Sequence, residues 1–149
     1  MELCAYAKIN LYLDVTAKRP NGYHDIVSIM QTVDLCDTLN LRVDEKGSAG
    51  IVLRCDADLP CDGRNLAYRA AETYFEGNVP CKIEMDIQKR IPMQAGLAGG
   101  SADCAAVLRA LNLHFGRYGE DELLALGARL GADVPFCLVG GTRITRGIG

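Results

Sequence analysis

The residues best suited to chemistry in this chain form one run, Ile91-Pro92-Met93-Gln94-Ala95-Gly96-Leu97-Ala98-Gly99-Gly100-Ser101-Ala102-Asp103. Glycines let a backbone approach an anion closely, because no Cβ intervenes and positive φ is permitted. A strand-patterned stretch (83–88) precedes the run and a helix-patterned stretch (101–115) follows it. The unpaired N–H groups at a helix start would then point at the anion, and the helix dipole would favour its charge. Ser101 stands at or near the N-cap, where its hydroxyl can cap the helix or contact a phosphate. A glycine cluster can also serve tight helix–sheet packing, but the order strand, loop, helix start favours phosphate binding. The run lacks the Gly-Lys-Ser/Thr of a P-loop and the G-x-G-x-x-G of a dinucleotide site, so both of those readings fail.

Other chemistry-bearing residues are scattered. Lys8 and Asn10 are two apart on a strand-like segment, so their side chains leave the same face. If Ile9, Leu11 and Leu13 face the core, Lys8 and Asn10 face a cleft or solvent. Asp133 precedes Val134-Pro135, the pattern of an N-cap with proline in the first turn of a short helix. Asn65 reads as an N-cap as well. His24, beside Tyr23, falls in a loop; His114 falls late in an apolar helix and reads as structural. The seven cysteines show no C-x2-C or C-x4-C spacing, which leaves scattered reduced thiols rather than a zinc site.

The elements that must position these residues follow from periodicity. Ile9, Leu11, Leu13 and Val15 alternate with Asn10, Tyr12, Asp14 and Thr16, and Leu39-Leu41-Val43 and Ile83-Met85-Ile87 repeat the period of two. Residues 26–34 and 51–55 are further strands. A helix is expected over 66–76, from the Asn65 cap to Gly77. A second over 101–115 carries Cys104, Leu108, Leu111 and Phe115 on one face and stops at Gly116. A third begins with Glu120-Asp121-Glu122, acidic residues suited to a first turn, and ends near Gly131. Residues 140–149 read as a strand or hairpin. Strands first and helices later in mixed order predict an α+β domain.

At 149 residues, 49% apolar and 23% charged, the chain fits one globular domain. Its formal net charge of −3 argues against nucleic acid as a partner. The first residues carry no basic stretch followed by an apolar run and a cleavage site, and no apolar run reaches bilayer length. A soluble, cytoplasmic protein without a membrane partner is expected.

The segment 92–102 resembles the phosphate-binding signature of the GHMP kinase superfamily, which includes galactokinase, homoserine kinase and mevalonate kinase. Ala7-Lys8-Ile9-Asn10-Leu11, Gly22-Tyr23-His24 and Gly131-Ala132-Asp133-Val134-Pro135-Phe136 extend the likeness along essentially the whole chain. These three segments point to the branch that phosphorylates the 2-hydroxyl of a cytidine diphosphate methylerythritol, in the non-mevalonate route to isoprenoids. The resemblance implies a fold like that of ribosomal-protein domain 2: a mixed sheet with helices packed on one face, and a left-handed βαβ unit, an exception to the usual right-handed rule. It also implies that residues 1–149 are the amino-terminal, ATP-binding domain, with a carboxy-terminal domain absent from this chain.

The same resemblance implies roles. Pro92, Met93, Gln94, Ala95, Gly96, Leu97, Ala98, Gly99, Gly100, Ser101 and Ala102 would hold the phosphates of ATP. Asn65 and Lys89 would approach the nucleotide from its adenine side and line its site. Asp133 would accept or orient the acceptor's hydroxyl proton, with Lys8 stabilising developing charge. Asn10 would contact substrate, and Tyr23 and His24 would form the cytidine pocket. Many relatives carry a second serine where this chain has Ala102; alanine removes one hydroxyl there, and no metal ligand is assigned. Mg2+ is expected with ATP, because it neutralises phosphate oxygens during phosphoryl transfer. Other readings are a related kinase with homoserine or a mevalonate derivative as acceptor, a nucleotide-binding module without turnover, and an RNA-binding domain. Tyr23-His24 speaks for an acceptor that carries a base, and the negative charge against RNA. Apolar residues meant for the second domain would favour self-association.

Overall fold

In the computed structural model, which describes residues 1–18, 22 and 24–148, five strands form one mixed sheet; three of the four helices pack against it, and the helix at Glu120–Leu130 packs on the other helices. The strands are β1 (Glu2–Lys18), β2 (His24–Asp44), β3 (Gly50–Cys55), β4 (Lys82–Gln88) and β5 (Thr142–Ile148). The helices are α1 (Leu66–Tyr74), α2 (Gly99–Phe115), α3 (Glu120–Leu130) and α4 (Val134–Val139). The fold class is α+β, as the alternating first half and helical second half require.

The 21 residues of β2 organise the sheet. The sequence pattern divides them into separate strands at 26–34 and 39–43, but tertiary pairing fuses the two. One edge of β2 pairs antiparallel with β1 along its length. The other edge takes β4 at Thr38–Asp44 and β5 at Asp25–Gln31, one after the other. A strand spanning two partners in this way needs no single hydrophobic repeat, so its continuity is invisible in periodicity. β3 lies parallel to β4, with α1 as the crossover between them.

The helix-covered face of the sheet presents Ala5, Ala7, Leu39, Leu41, Leu53, Ile83, Met85 and Ile87, all buried. α2 is the central helix, buried from Ala102 through Leu108 and again at Ala110 and Leu111. α1 meets it with Ala67, Ala70 and Ala71, small side chains that permit close approach.

Two boundaries differ from the sequence reading. α1 stops at Tyr74, and Gly77 (φ +81°) lies past the end, donating its N–H to Glu72 O at 3.0 Å. α2 begins at Gly99, two residues before the expected start, with Ala98 rather than Ser101 at the N-cap. Ser101 is therefore the third residue of the helix. The expected core stripe of β1 is corrected too: Leu11 is 59% and Leu13 53% exposed, whereas Lys8 is only 5% exposed. A register shift between Tyr6 and Lys8 breaks the alternation, so Ala5, Ala7 and Lys8 are all buried.

Candidate nucleotide and phosphoryl-transfer site

The connection from β4 to α2 passes over the end of the sheet and turns back through unusual backbone. Gln94, Gly96 and Ala98 all have positive φ, +56°, +73° and +57°. Alternating left-handed residues of this kind turn successive N–H groups toward one side, a geometry suited to anions. The first turn of α2 follows at once, so Gly99, Gly100 and Ser101 add the free N–H groups of a helix start. The connection is anchored at both ends. Asp37 of β2 accepts from Arg90 N at 2.5 Å and Ile91 N at 2.8 Å, and Lys8 N donates to Leu97 O at 3.1 Å.

A cavity of about 440 Å³ opens over this connection, lined by all of Pro92–Ser101 together with Asn65, Leu66, Leu59, Pro60, Arg64, Lys89, Ile91 and Asp103. Every predicted phosphate-loop residue except Ala102 therefore borders one cavity; Ala102 is buried beneath it in α2. Asn65 caps α1, its Oδ1 accepting from Ala67 N at 2.9 Å while Nδ2 donates to Pro60 O at 2.8 Å. That double role holds the 59–65 segment along the cavity rim. Arg64, unnoticed in the sequence, also borders the cavity. Its guanidinium grips Asp62 and holds that carboxyl down at about 2.

Lys89 borders the cavity from below. Its ammonium lies between two buried carboxylates, bonded to Asp37 Oδ2 and, at 2.7 Å, to Asp103 Oδ2. Burial lowers the Lys89 pKa, but the two carboxylates more than offset this and the net shift is upward. Burial pushes Asp103 the other way from an ordinary carboxyl, up to about 7 against the pull of Lys89. Asp37 was not singled out from the sequence, and Asp103, the last residue of the glycine-rich run, was given no role there. Asp37 sits amid an apolar strand and Asp103 amid a small-residue helix, and only the fold brings them to one lysine.

Lys8 and Asp133 meet across the sheet and α4, Nζ to Oδ2 3.7 Å, with Lys8 buried and Asp133 half-buried. Asp133 occupies the N-cap position of α4, with Pro135 in the first turn, yet its side chain makes no capping bond. The carboxylate is thereby left to face Lys8. Gly131, at the end of α3, lies beside the start of α2: the position a Cβ would take there is 3.8 Å from Ser101 Oγ, an ordinary contact distance. Neighbouring Cys137 is pushed up to about 12, chiefly by burial, so it is a neutral thiol.

Asn10 is exposed on β1, and its Oδ1 lies 2.9 Å from the Ser28 hydroxyl, which also reaches Tyr12 O at 2.7 Å. His24 is half-buried at the start of β2, paired in register with Lys18. Tyr23 lies outside the described residues. His114 stands on the far end of α2 beside Glu45, Nε2 to Oε1 3.0 Å. Among the described residues no group of three or more His, Cys, Asp or Glu is placed to hold a metal ion, and no helix is long and apolar enough to cross a membrane.

The chain is similar to known proteins along its whole length. A 4-diphosphocytidyl-2-C-methyl-D-erythritol kinase of Caldicellulosiruptor saccharolyticus is 54% identical over 151 residues, covering 100% of this chain and 52% of that protein. A crystal structure of 4-(cytidine 5'-diphospho)-2C-methyl-D-erythritol kinase superposes with TM-score 0.82 at 41% identity, over 100% of this chain and 53% of the other. The mevalonate kinase of Methanococcus jannaschii shares the fold, with TM-score 0.73 at 14% identity, over 98% of this chain and 53% of that one. The chain spans about half the length of the curated relatives it matches. Residues 65–141, which run from the α1 cap through the loop and Asp133 to the start of β5, match the model of the GHMP kinases N terminal domain, and the chain belongs to that family.

Proposed function

We propose that the chain is the nucleotide-binding domain of a kinase that transfers the γ-phosphoryl group of ATP to the 2-hydroxyl of 4-diphosphocytidyl-2-C-methyl-D-erythritol, in the synthesis of isoprenoid precursors. The observation that carries this reading is the Lys8–Asp133 pair, joined to the phosphate loop by the Lys8 N to Leu97 O bond. One strand residue thus carries both the charge partner of the candidate base and an anchor of the nucleotide loop.

In the proposed reaction the ATP phosphates lie on the N–H groups of 94–101, with the base toward Asn65 and Leu66. Asp133 takes the proton of the acceptor hydroxyl as its oxygen bonds to the γ-phosphorus; the bond to the β,γ-bridging oxygen breaks and ADP leaves. Lys8 offsets charge that develops between acceptor and phosphate, and positioning supplies most of the acceleration. Bound to ATP, Mg2+ would supply neutralisation of phosphate charge. Asn10, Tyr23 and His24 would meet the acceptor, and the remaining half present in the relatives would close the cleft. The reading puts the reaction in the cytoplasm.

Calorimetric titration of the chain with the Mg2+ complex of a non-hydrolysable ATP analogue tests the loop. Binding is expected, and Gly99→Val should abolish it, because a Cβ there would come within 3.1 Å of Ile91 Cγ2 and 3.3 Å of Lys89 Nζ. In the protein extended to the length of its relatives, Asp133→Asn should lower kcat by at least about a hundredfold while nucleotide binding persists. Undiminished turnover in that variant would remove Asp133 from the mechanism.

A further inference from the structure

The Asp37–Lys89–Asp103 cluster under the loop is not used by the transfer step. Asp37 is fully buried and Asp103 is 4% exposed. Asp37 is saturated: one oxygen takes two backbone N–H groups and the other takes Lys89. Asp103 is not, since Oδ2 takes Lys89 while Oδ1 is buried without any hydrogen-bond partner. A carboxylate oxygen without a donor is costly to keep ionised in such a place. Two carboxylates share one ammonium, so the fully ionised cluster carries a net negative charge. It lies at the floor of a cavity whose rim is built to take phosphates.

We propose that Asp103 is a proton-linked positioning residue of the phosphate loop, so that nucleotide binds with an additional proton held on the Asp37–Lys89–Asp103 cluster. This rests on the reading of the loop as a nucleotide-phosphate site. An incoming polyanion raises the cost of the uncompensated negative charge below it, and protonation of Asp103 removes that charge while Oδ2 stays against Lys89. The link is reciprocal: phosphate draws a proton in, and protonation tightens phosphate binding.

Among the described residues the other ionisable groups near the cluster are engaged elsewhere or neutral: Asp56 accepts from Lys89 N at 2.8 Å, and burial raises the Cys55 thiol. Lys89 and Asp37 face Asp103 directly. The Cys104 thiol on α2 and the Cys137 thiol on α4 lie beyond, both pushed up to about 12 by burial and so neutral. Arg69 acts on Cys104, and Arg109 and the Lys8–Asp133 pair act on Cys137. Across the cavity, Arg64 is engaged with Asp62. Burial places the Asp103 transition near neutral pH, at about 7, where partial protonation leaves room for uptake.

The test is calorimetric titration of the chain with the Mg2+ complex of an ATP analogue, in buffers of different ionisation enthalpy between about pH 6.5 and 8.5. The Mg2+ complex is used so that the terminal phosphate is already ionised. The apparent enthalpy should depend on the buffer, reporting uptake of a fraction of a proton. Affinity should weaken as pH rises, by at most about tenfold per unit, the limit for one proton. Asp103→Asn should bind the analogue with the buffer dependence lost. Equal uptake in the two proteins, or binding without uptake in the wild type, would overturn the proposal and leave the loop assignment standing. Absence of any binding would overturn both. Should Asp103→Asn fail to fold, the wild-type uptake across the pH range decides the matter alone. The free chain gives a second readout. Between about pH 4 and 7 the folded state holds a proton that the unfolded chain releases, so this group makes stability fall as pH rises there. Asp103→Asn should flatten that slope in denaturant titrations, whereas Asp103→Glu should retain it. A slope unchanged in Asp103→Asn would count against the proposal.

Discussion

Ala98 shows how a single residue can hold a functional loop at a cost. It stands in the left-handed region at φ +57°, directly before the first turn of α2, and its carbonyl accepts from Ala102 N at 2.9 Å. An alanine there strains against its own Cβ, and a glycine would not. Ala98→Gly should therefore raise stability by about 0.5–1 kcal/mol, read as a higher urea midpoint at unchanged slope. A lower midpoint would mean that the methyl group of Ala98 contributes packing that outweighs the strain. Ser101 is the converse case. Expected at or near the cap, it is the third residue of α2, inside the first turn, and borders the cavity.

At the scale of elements, the cavity is a meeting of helix starts. α2 brings its free N–H groups, and α1 begins at the cavity rim under the Asn65 cap. Asn65→Ala removes the bond to Ala67 N and leaves Pro60 O without its donor, so it should destabilise the domain by about 1–2 kcal/mol. It should also weaken nucleotide binding, because the 59–65 rim loses its anchor. Asn65→Asp, which keeps the cap but loses the bond to Pro60 O, separates the two effects. α4 has a different use: six residues long, it is too short to stand alone, and its N-cap position orients Asp133 toward Lys8.

The whole molecule presents a sheet whose helix cover is incomplete. Tyr12, Ile29 and Ile144 are direct cross-strand neighbours on β1, β2 and β5, with Tyr12 52% and Ile144 69% exposed. Leu11, Leu13 and Val15 are exposed close by. An exposed apolar row across three strands, with further apolar side chains exposed along β1, favours association. Sedimentation velocity on the 149-residue chain should show concentration-dependent association, and the double variant Tyr12→Lys/Ile144→Lys should remain monomeric. A wild type that sediments as a monomer at all concentrations would refute the expectation.

What sequence alone could determine was local and additive. The glycine-rich run announced its chemistry through residue types that permit close anion approach, placed between a period-two strand and a 3.6-period helix. Asn65, Gly116 and the acidic start of α3 marked helix ends through capping and dipole rules that act within a turn. Lys8 and Asp133 were named through the family resemblance, and no local rule joins residues so far apart in the chain. Tertiary structure decided what depends on distance through space. It fused two short strand patterns into β2, because two different strands share its edge, and it buried Lys8 while exposing Leu11 and Leu13, because a register shift broke the alternation. It also gathered Asp37, Lys89 and Asp103 from three elements into one cluster under the loop. In sequence Lys89 was marked only through the family resemblance and neither aspartate carried a role of its own, and only burial together makes the three a titratable cluster.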